Sequence, residues 1–97
     1  MKSYYVYILL CADKTYYTGV TNDIERRFNE HCDGRNVTSY TFSRRPVEIV
    51  FCETFYDIEK AIAYEKRLKK WSQKKKEALI QEKFELLPTL AKKKFKK

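Results

Sequence analysis

The sequence predicts an α+β fold: a small, mostly antiparallel three-stranded sheet flanked by helices. Three observations lead there. Tyr4 to Leu10 and Tyr16 to Val20 are rich in aromatic and β-branched residues and are separated by the short segment Cys11-Ala12-Asp13-Lys14-Thr15, the pattern of two antiparallel strands joined by a loop. Two later segments, Asp23 to Cys32 and Asp57 to Trp71, repeat apolar residues at helical spacing. A chain of 97 residues with 43% hydrophobic content has material for one core and no second.

The elements follow in order. After the hairpin, Thr21 or Asn22 offers an N-cap, and Asp23 and Glu25 in the first turn suit the helix dipole, for a helix ending near Asp33-Gly34. Arg35 to Pro46 is polar, with Thr38, Ser39, Thr41 and Ser43 around Tyr40 and Phe42, and reads as a loop with room for one helical turn. Val47 to Phe55 is a third strand. Asp57 caps a second helix whose stripe is Ile58, Ala61, Ile62 and Leu68, and Ser72 caps a third, Gln73 to Glu82, with Ala78 and Leu79 inward. Residues 1–83 form the domain, and 84–97 form a lysine-rich tail. No internal repeat or linker is evident.

Both helical stripes contain residues that do not belong on an apolar face. In the first, Ile24 and Phe28 share their face with Arg27 and His31; in the second, Glu65 lies near the centre of the stripe. Charged groups are rarely buried unless paired, bound to a metal or used in chemistry. Two explanations remain open at this point. One is a structural cluster in which Glu65 pairs with Arg27 across helices and His31 bonds at the core edge; the other is a shared functional site. The strands add to the second. Side chains alternate, so Tyr5, Tyr7 and Leu9 share one face, while Tyr17 and Gly19 share a face of the next strand. A register that joins these faces brings Tyr7 beside Tyr17, and Gly19 then leaves room for a bound group.

The formal charge is +8, from 21 Lys and Arg against 13 Asp and Glu. Such an excess favours polyanionic partners, nucleic acid first and anionic membrane second. Much of it lies in Lys66 to Lys76 and in Lys92 to Lys97, so part of it is open to the plainer reading of a solvated helix face and a frayed end. Cys11, Cys32 and Cys52 are odd in number and have no CxxC spacing, so they read as reduced thiols of a cytoplasmic protein. The apolar run from Tyr4 to Ala12 is too short to span a bilayer.

The ordered set of motifs resembles a known family. Tyr5-Val6-Tyr7, the ten-residue step to Tyr17-Thr18-Gly19, Asn22-Asp23 leading to Arg27 and His31, Arg44-Arg45-Pro46-Val47 before the third strand, and Glu65 opening Glu65-Lys66-Arg67-Leu68-Lys69-Lys70-Trp71 are similar to the GIY-YIG nuclease core. The likeness is greatest to short stand-alone members, similar to the incision module of excision-repair nucleases, and runs from Tyr4 to about Ile80. Tyr5 replaces the leading glycine of the first tripeptide and Thr18 the isoleucine of the second. Many active relatives carry an asparagine after the glutamate, and this chain has none beyond Asn36; Phe84 to Leu90 stands in its place.

The resemblance implies hydrolysis of a DNA phosphodiester with Mg²⁺ or Mn²⁺. Glu65 is then the metal ligand, a hard carboxylate for a hard ion. Arg27 clamps a non-bridging oxygen as charge develops, Tyr7 is the candidate general base, and Tyr17 or His31 assists it by hydrogen bonding or proton shuttling. Arg35, Arg44, Arg45, Lys69 and Lys70 are the candidate phosphate contacts, and Tyr40 or Phe42 is placed to stack on an unpaired base or to anchor the loop. Without attached recognition domains, cutting is expected to be structure-selective or directed by a protein partner. The missing asparagine keeps a second reading open, a nucleic-acid-binding module with the nuclease fold and little or no turnover.

Overall fold

In a computed structural model, which describes residues 2–34 and 40–83, β1 (Tyr4–Leu10) is the central strand, with β2 (Tyr16–Thr21) on one side and β3 (Glu48–Phe55) on the other. Both pairings are antiparallel, so the sheet is wholly antiparallel. The hairpin register sets Tyr7 opposite Gly19 and Leu9 opposite Tyr17. A register shift between Ile8 and Leu9 marks a bulge where β1 meets β3. Strand alternation then divides the core in two. Tyr7, Leu9 and Cys11 point to one side with Phe28, Val47 and Ile49, and Val6 and Ile8 point to the other with Val50, Phe51, Ala61, Leu68 and Ile80.

The first side is covered by α1 (Ile24–Asp33). Its N-cap is Asp23, whose Oδ1 accepts from the Arg26 N–H at 3.1 Å. The cap is therefore neither Thr21 nor Asn22, the two residues expected there; Thr21 instead accepts from the Asp23 N–H at 3.1 Å and holds the turn before the helix. Gly34 ends the helix at φ 66°, a left-handed conformation that glycine adopts without a Cβ clash. The polar loop supplies the expected single turn, a 3-10 turn over Phe42–Arg44.

The second side is covered by α2 (Ile58–Lys69) and α3 (Gln73–Lys83). Asp57 caps α2 by accepting from the Glu59 N–H at 2.9 Å, and Ser72 caps α3 by accepting from the Lys75 N–H at 3.2 Å. The buried arc of α2 is Ala61, Glu65 and Leu68, with Tyr64 and Trp71 half-buried beside it. Ile58 and Ile62, expected inward, are 41% and 38% exposed, because the aromatic Tyr64 and Trp71 fill the core on the opposite flank and turn the isoleucines out. On α3 the inward residues are Ile80, with Leu79 half-buried and the Lys76 stem beneath, while Ala78 is exposed. The tail 84–97 lies outside the described residues. Among those residues no helix is long and apolar enough to cross a membrane.

Candidate active site

Tyr7 sits at the middle of the central strand and is 1% exposed, its ring lying across Gly19. A Cβ on Gly19 would stand 2.5 Å from the Tyr7 hydroxyl oxygen. The space left by that glycine is therefore filled by Tyr7 itself, not kept for a ligand as the sequence suggested. Tyr17, two pairs further along the hairpin and on the same face, has its ring centroid 6.3 Å from that of Tyr7. His31, from the last turn of α1, is 5.9 Å from Tyr7 and 5.2 Å from Tyr17, edge-on to both rings.

Hydrogen bonds tie these rings into a chain. His31 is 4% exposed, and its Nε2 lies 3.1 Å from the Tyr7 hydroxyl while its Nδ1 lies 2.8 Å from Thr41 Oγ1. A neutral imidazole donates from one nitrogen and accepts at the other, so one ring proton sets the direction of the whole chain. Burial, reinforced by the Arg27 charge, pushes His31 down to about 4, with Glu30 opposing; the ring is neutral at neutral pH. Burial, then Tyr17, push the Tyr7 phenol up to about 12, while a hydrogen bond and the charge of Arg27 work against them and the charge of Glu65 adds to the rise.

Arg27 and Glu65 do not pair. The Arg27 Nη1 donates to Glu30 Oε1 at 3.0 Å, one turn on in the same helix, and Glu65 Oε2 accepts from Lys69 Nζ at 2.8 Å. The cross-helix ion pair of the purely structural explanation is thus absent. Burial disfavours the Arg27 cation, yet its bonds to Glu30 and Tyr7 more than offset this and hold it charged. Glu65 is 8% exposed although α2 covers the other side of the sheet. Its charge still acts on Tyr7, since α2 also packs on the edge strand β2, and Lys69 is close enough to Tyr17 for its charge to register there.

The loop completes one wall. Tyr40 stacks on Tyr17 with centroids 5.8 Å apart, and the Arg44 guanidinium lies over the Tyr40 ring, 3.9 Å from its centroid. These contacts hold Tyr40 against the tyrosine wall while the residue stays 40% exposed. Arg44 also donates to the Tyr40 carbonyl at 2.8 Å and pairs with Asp13 at 3.0 Å. Arg45 lies over Phe42 at 4.6 Å, donates to its carbonyl at 2.8 Å, and packs where a side chain on Gly34 would be. Both arginines first hold the loop, with Arg44 beside the tyrosine wall. Lys70 faces away from Glu65, and Arg35 lies outside the described residues. Sequence reasoning missed Thr41, which sits in a loop where no periodicity marks burial. It also missed Glu30, whose i, i+3 spacing from Arg27 was readable.

The family model of the GIY-YIG catalytic domain matches residues 3–78. The chain belongs to the GIY-YIG family. Tyr5-Val6-Tyr7 and Tyr17-Thr18-Gly19 are its two tripeptides, and the hairpin register sets the tyrosine that ends the first against the glycine that ends the second. Among similar proteins, a UPF0213 protein of Syntrophus aciditrophicus is 44% identical over 82 residues, covering 84% of this chain and 94% of its own length. A UPF0213 protein of Bacillus pumilus is 41% identical over 80 residues, covering 82% of this chain and 81% of its own. The solution NMR structure of a UPF0213 protein from Bacillus halodurans superposes with a TM-score of 0.56 at 39% identity, over 84% of this chain and 86% of that one. A protein of E. faecalis, also solved by NMR, gives 0.60 at 36% identity, over 91% and 92%. The antiparallel sheet with flanking helices is thus a GIY-YIG fold, and the chain takes its place in that nuclease superfamily.

Proposed function

We propose that this protein is a divalent-metal-dependent DNA endonuclease of the cytoplasm that hydrolyses phosphodiester bonds and selects substrates by structure or through a protein partner. The observation that carries this reading is the buried Tyr7–His31–Thr41 hydrogen-bond chain beside Arg27 and within electrostatic reach of Glu65. Among the described residues no group of three or more His, Cys, Asp and Glu is placed to hold a metal. Glu65 is a single hard oxygen donor whose carboxylate already binds one cation, Lys69, at 2.8 Å. That donor set suits Mg²⁺ or Mn²⁺, which keep most of their ligands as water and phosphate oxygen. A divalent ion on Glu65 supplies positive charge to the scissile phosphate and the leaving 3′ oxygen.

The residues of the chain do the rest. Arg27 binds a non-bridging phosphate oxygen, which orients the phosphorus toward Tyr7 and offsets charge as it builds in the transition state. A free phenolate at a pKa of about 12 is too scarce to act as a base near neutrality. The hydrogen-bond chain removes that obstacle. The attacking water gives its proton to the Tyr7 oxygen as the Tyr7 proton passes to His31 Nε2, while Nδ1–H donates to Thr41. An anion on Arg27 cancels the charge that helps hold His31 down, so the imidazole gains basicity when substrate is bound. The new P–O bond forms as the bond to the 3′ oxygen breaks, and that oxygen takes a proton from solvent. Tyr17 packs against Tyr7 and His31 and keeps water from the rest of the chain.

One observation favours the second reading, binding without turnover: Lys69 already neutralises Glu65. Labelled duplex, single-stranded, flap and branched DNA incubated with Mg²⁺ or Mn²⁺ decides between them. Cutting by the wild type that Tyr7→Phe and Glu65→Gln both abolish, with folding intact, supports the nuclease. Binding without cutting on every substrate, or cutting that survives both substitutions, overturns it.

A further inference from the structure

The outer side of α2 has a second feature that the tyrosine site does not use. Ala63, Lys66, Arg67, Lys70 and Trp71 line a shallow groove of about 490 Å³. Three of these five residues are cations and none is acidic, and Lys75 adds a fourth charge 4.3 Å from the centroid of the Trp71 ring. Of the α2 cations, Lys69 alone pairs with a carboxylate among the described residues. Trp71 is half-buried, packed inward beside Leu68 and Ile80 and open toward the groove. An uncompensated cluster of like charges around an aromatic ring suits a ligand that brings both anions and flat rings. A nucleic-acid strand does so: phosphates meet the cations and a base meets the indole. In a duplex the bases are stacked on one another, so a base free to meet Trp71 belongs to an unpaired strand.

Position strengthens the assignment. Lys66 and Lys70 each follow by one residue the Glu65 and Lys69 of the candidate site, ~100° round the same helix. A strand crossing α2 passes from Glu65 to the groove within about one helix diameter, ~10 Å. We propose that this groove binds the unpaired strand of the substrate next to the scissile position, with phosphates on Lys66 and Lys70 and one base on Trp71. The word substrate rests on the nuclease reading; binding of the strand does not.

Trp71 is the single tryptophan of the chain, so its emission reports this groove. The test uses the full chain carrying Glu65→Gln in chelator, titrated with a short oligothymidine and with a duplex of equal length. Indole emission is read alongside the anisotropy of the labelled DNA. The single strand quenches Trp71 at saturation and the duplex does so weakly. Lys66→Ala with Lys70→Ala lowers affinity at least tenfold and flattens the salt dependence by about 1.4 in log–log slope, at ~0.7 per phosphate contact. Trp71→Ala keeps that slope and weakens binding roughly 5- to 150-fold, as for one lost stack; circular dichroism confirms that each variant is folded. Unchanged emission at saturated anisotropy, equal quenching by duplex and single strand, or stronger quenching by polyglutamate overturns the proposal. Wild-type cleavage with a silent Trp71 removes the groove and leaves the nuclease, whereas quenching without wild-type cleavage removes the nuclease and leaves the groove.

Discussion

The two sides of the sheet are built to different rules. Beneath α2 and α3, Val6, Ile8, Val50, Phe51, Ala61, Leu68 and Ile80 form an apolar layer whose value lies in area removed from water. Beneath α1, Tyr7, Leu9, Cys11 and Phe28 are interrupted by His31 and Thr41, and each polar atom there is buried only because another receives it. The same central strand serves both sides, since alternate residues of β1 point to each. Stability is therefore concentrated on one side and the proposed chemistry on the other, with Glu65 the one proposed catalytic residue carried by a helix of the stable side.

The separation is broken most directly by exchanging damage between the sides. Tyr7→Phe removes one oxygen and is expected to lower cleavage by ~10²- to 10⁴-fold, the usual reach of a general base. The fold keeps its ring packing, so chemical denaturation should shift by about 1 kcal/mol for the lost hydrogen bond. Leu68→Ala is the mirror experiment. Leu68 is fully buried, and its truncation should cost ~2–5 kcal/mol of stability while turnover per folded molecule stays within about twofold of wild type. A large activity loss from Leu68→Ala in the folded population would show that the two sides are coupled.

A pH titration of stability sharpens the contrast. The unfolded His31 takes up a proton near its ordinary 6.5, whereas in the fold burial and Arg27 delay uptake until about 4. Between these values the unfolded state holds more protons, so stability falls as pH drops from about 6.5 to about 4 and levels off below. The loss is at most ~3 kcal/mol. Asp13, held by Thr15 and Arg44 below its ordinary 3.8, acts in a more acid range. Denaturation midpoints should show the slope in wild type and lose it in His31→Gln, with Leu68→Ala keeping it. Gly19→Ala is smaller still. Its Cβ falls on the Tyr7 hydroxyl, and such overpacking costs ~1–3 kcal/mol, with cleavage reduced because Tyr7 is pushed from His31. Gly34→Ala strains a helix end against Arg45 and should leave cleavage nearly intact.

Much of this division was readable before any coordinates. The hairpin, three strands and three helices follow from β-branched and aromatic runs, caps and spacing, and the misplaced His31 and Glu65 announced polar atoms in the core, whereas the Arg27 side chain stays 35% exposed at its edge. Three things were not readable. Pair register told which strand faces meet but not that Tyr7 would occupy the room over Gly19, because that depends on how far a ring reaches across the strand. Thr41 lies in a loop, where burial follows from tertiary contact alone. The partners of Arg27 and Glu65 were local, at i+3 and i+4, and short-range pairs won over a cross-helix pair because they form without moving either helix.

The rotation of α2 provides the smallest effect and the finest test. Hydrophobic spacing centred its stripe among Ile58, Ala61, Ile62 and Leu68, yet the buried arc is shifted toward Ala61 and Leu68, with Tyr64 and Trp71 on its flank. An aromatic pair buries more area than two isoleucines can recover on the far flank, so the helix settles with Ile58 and Ile62 half in water. That rotation leaves Glu65 at the edge of the apolar layer, paired with Lys69 and within electrostatic reach of Tyr7. Ile62→Ala should therefore change stability by no more than ~0.5 kcal/mol, against several for Leu68→Ala, and should leave cleavage unchanged. A cost near that of Leu68→Ala would mean that Ile62 packs inward in solution and that α2 is turned back toward its hydrophobic stripe. Glu65 would then be carried deeper beneath the sheet and away from Tyr7, so the same thermodynamic result would remove Glu65 from the site.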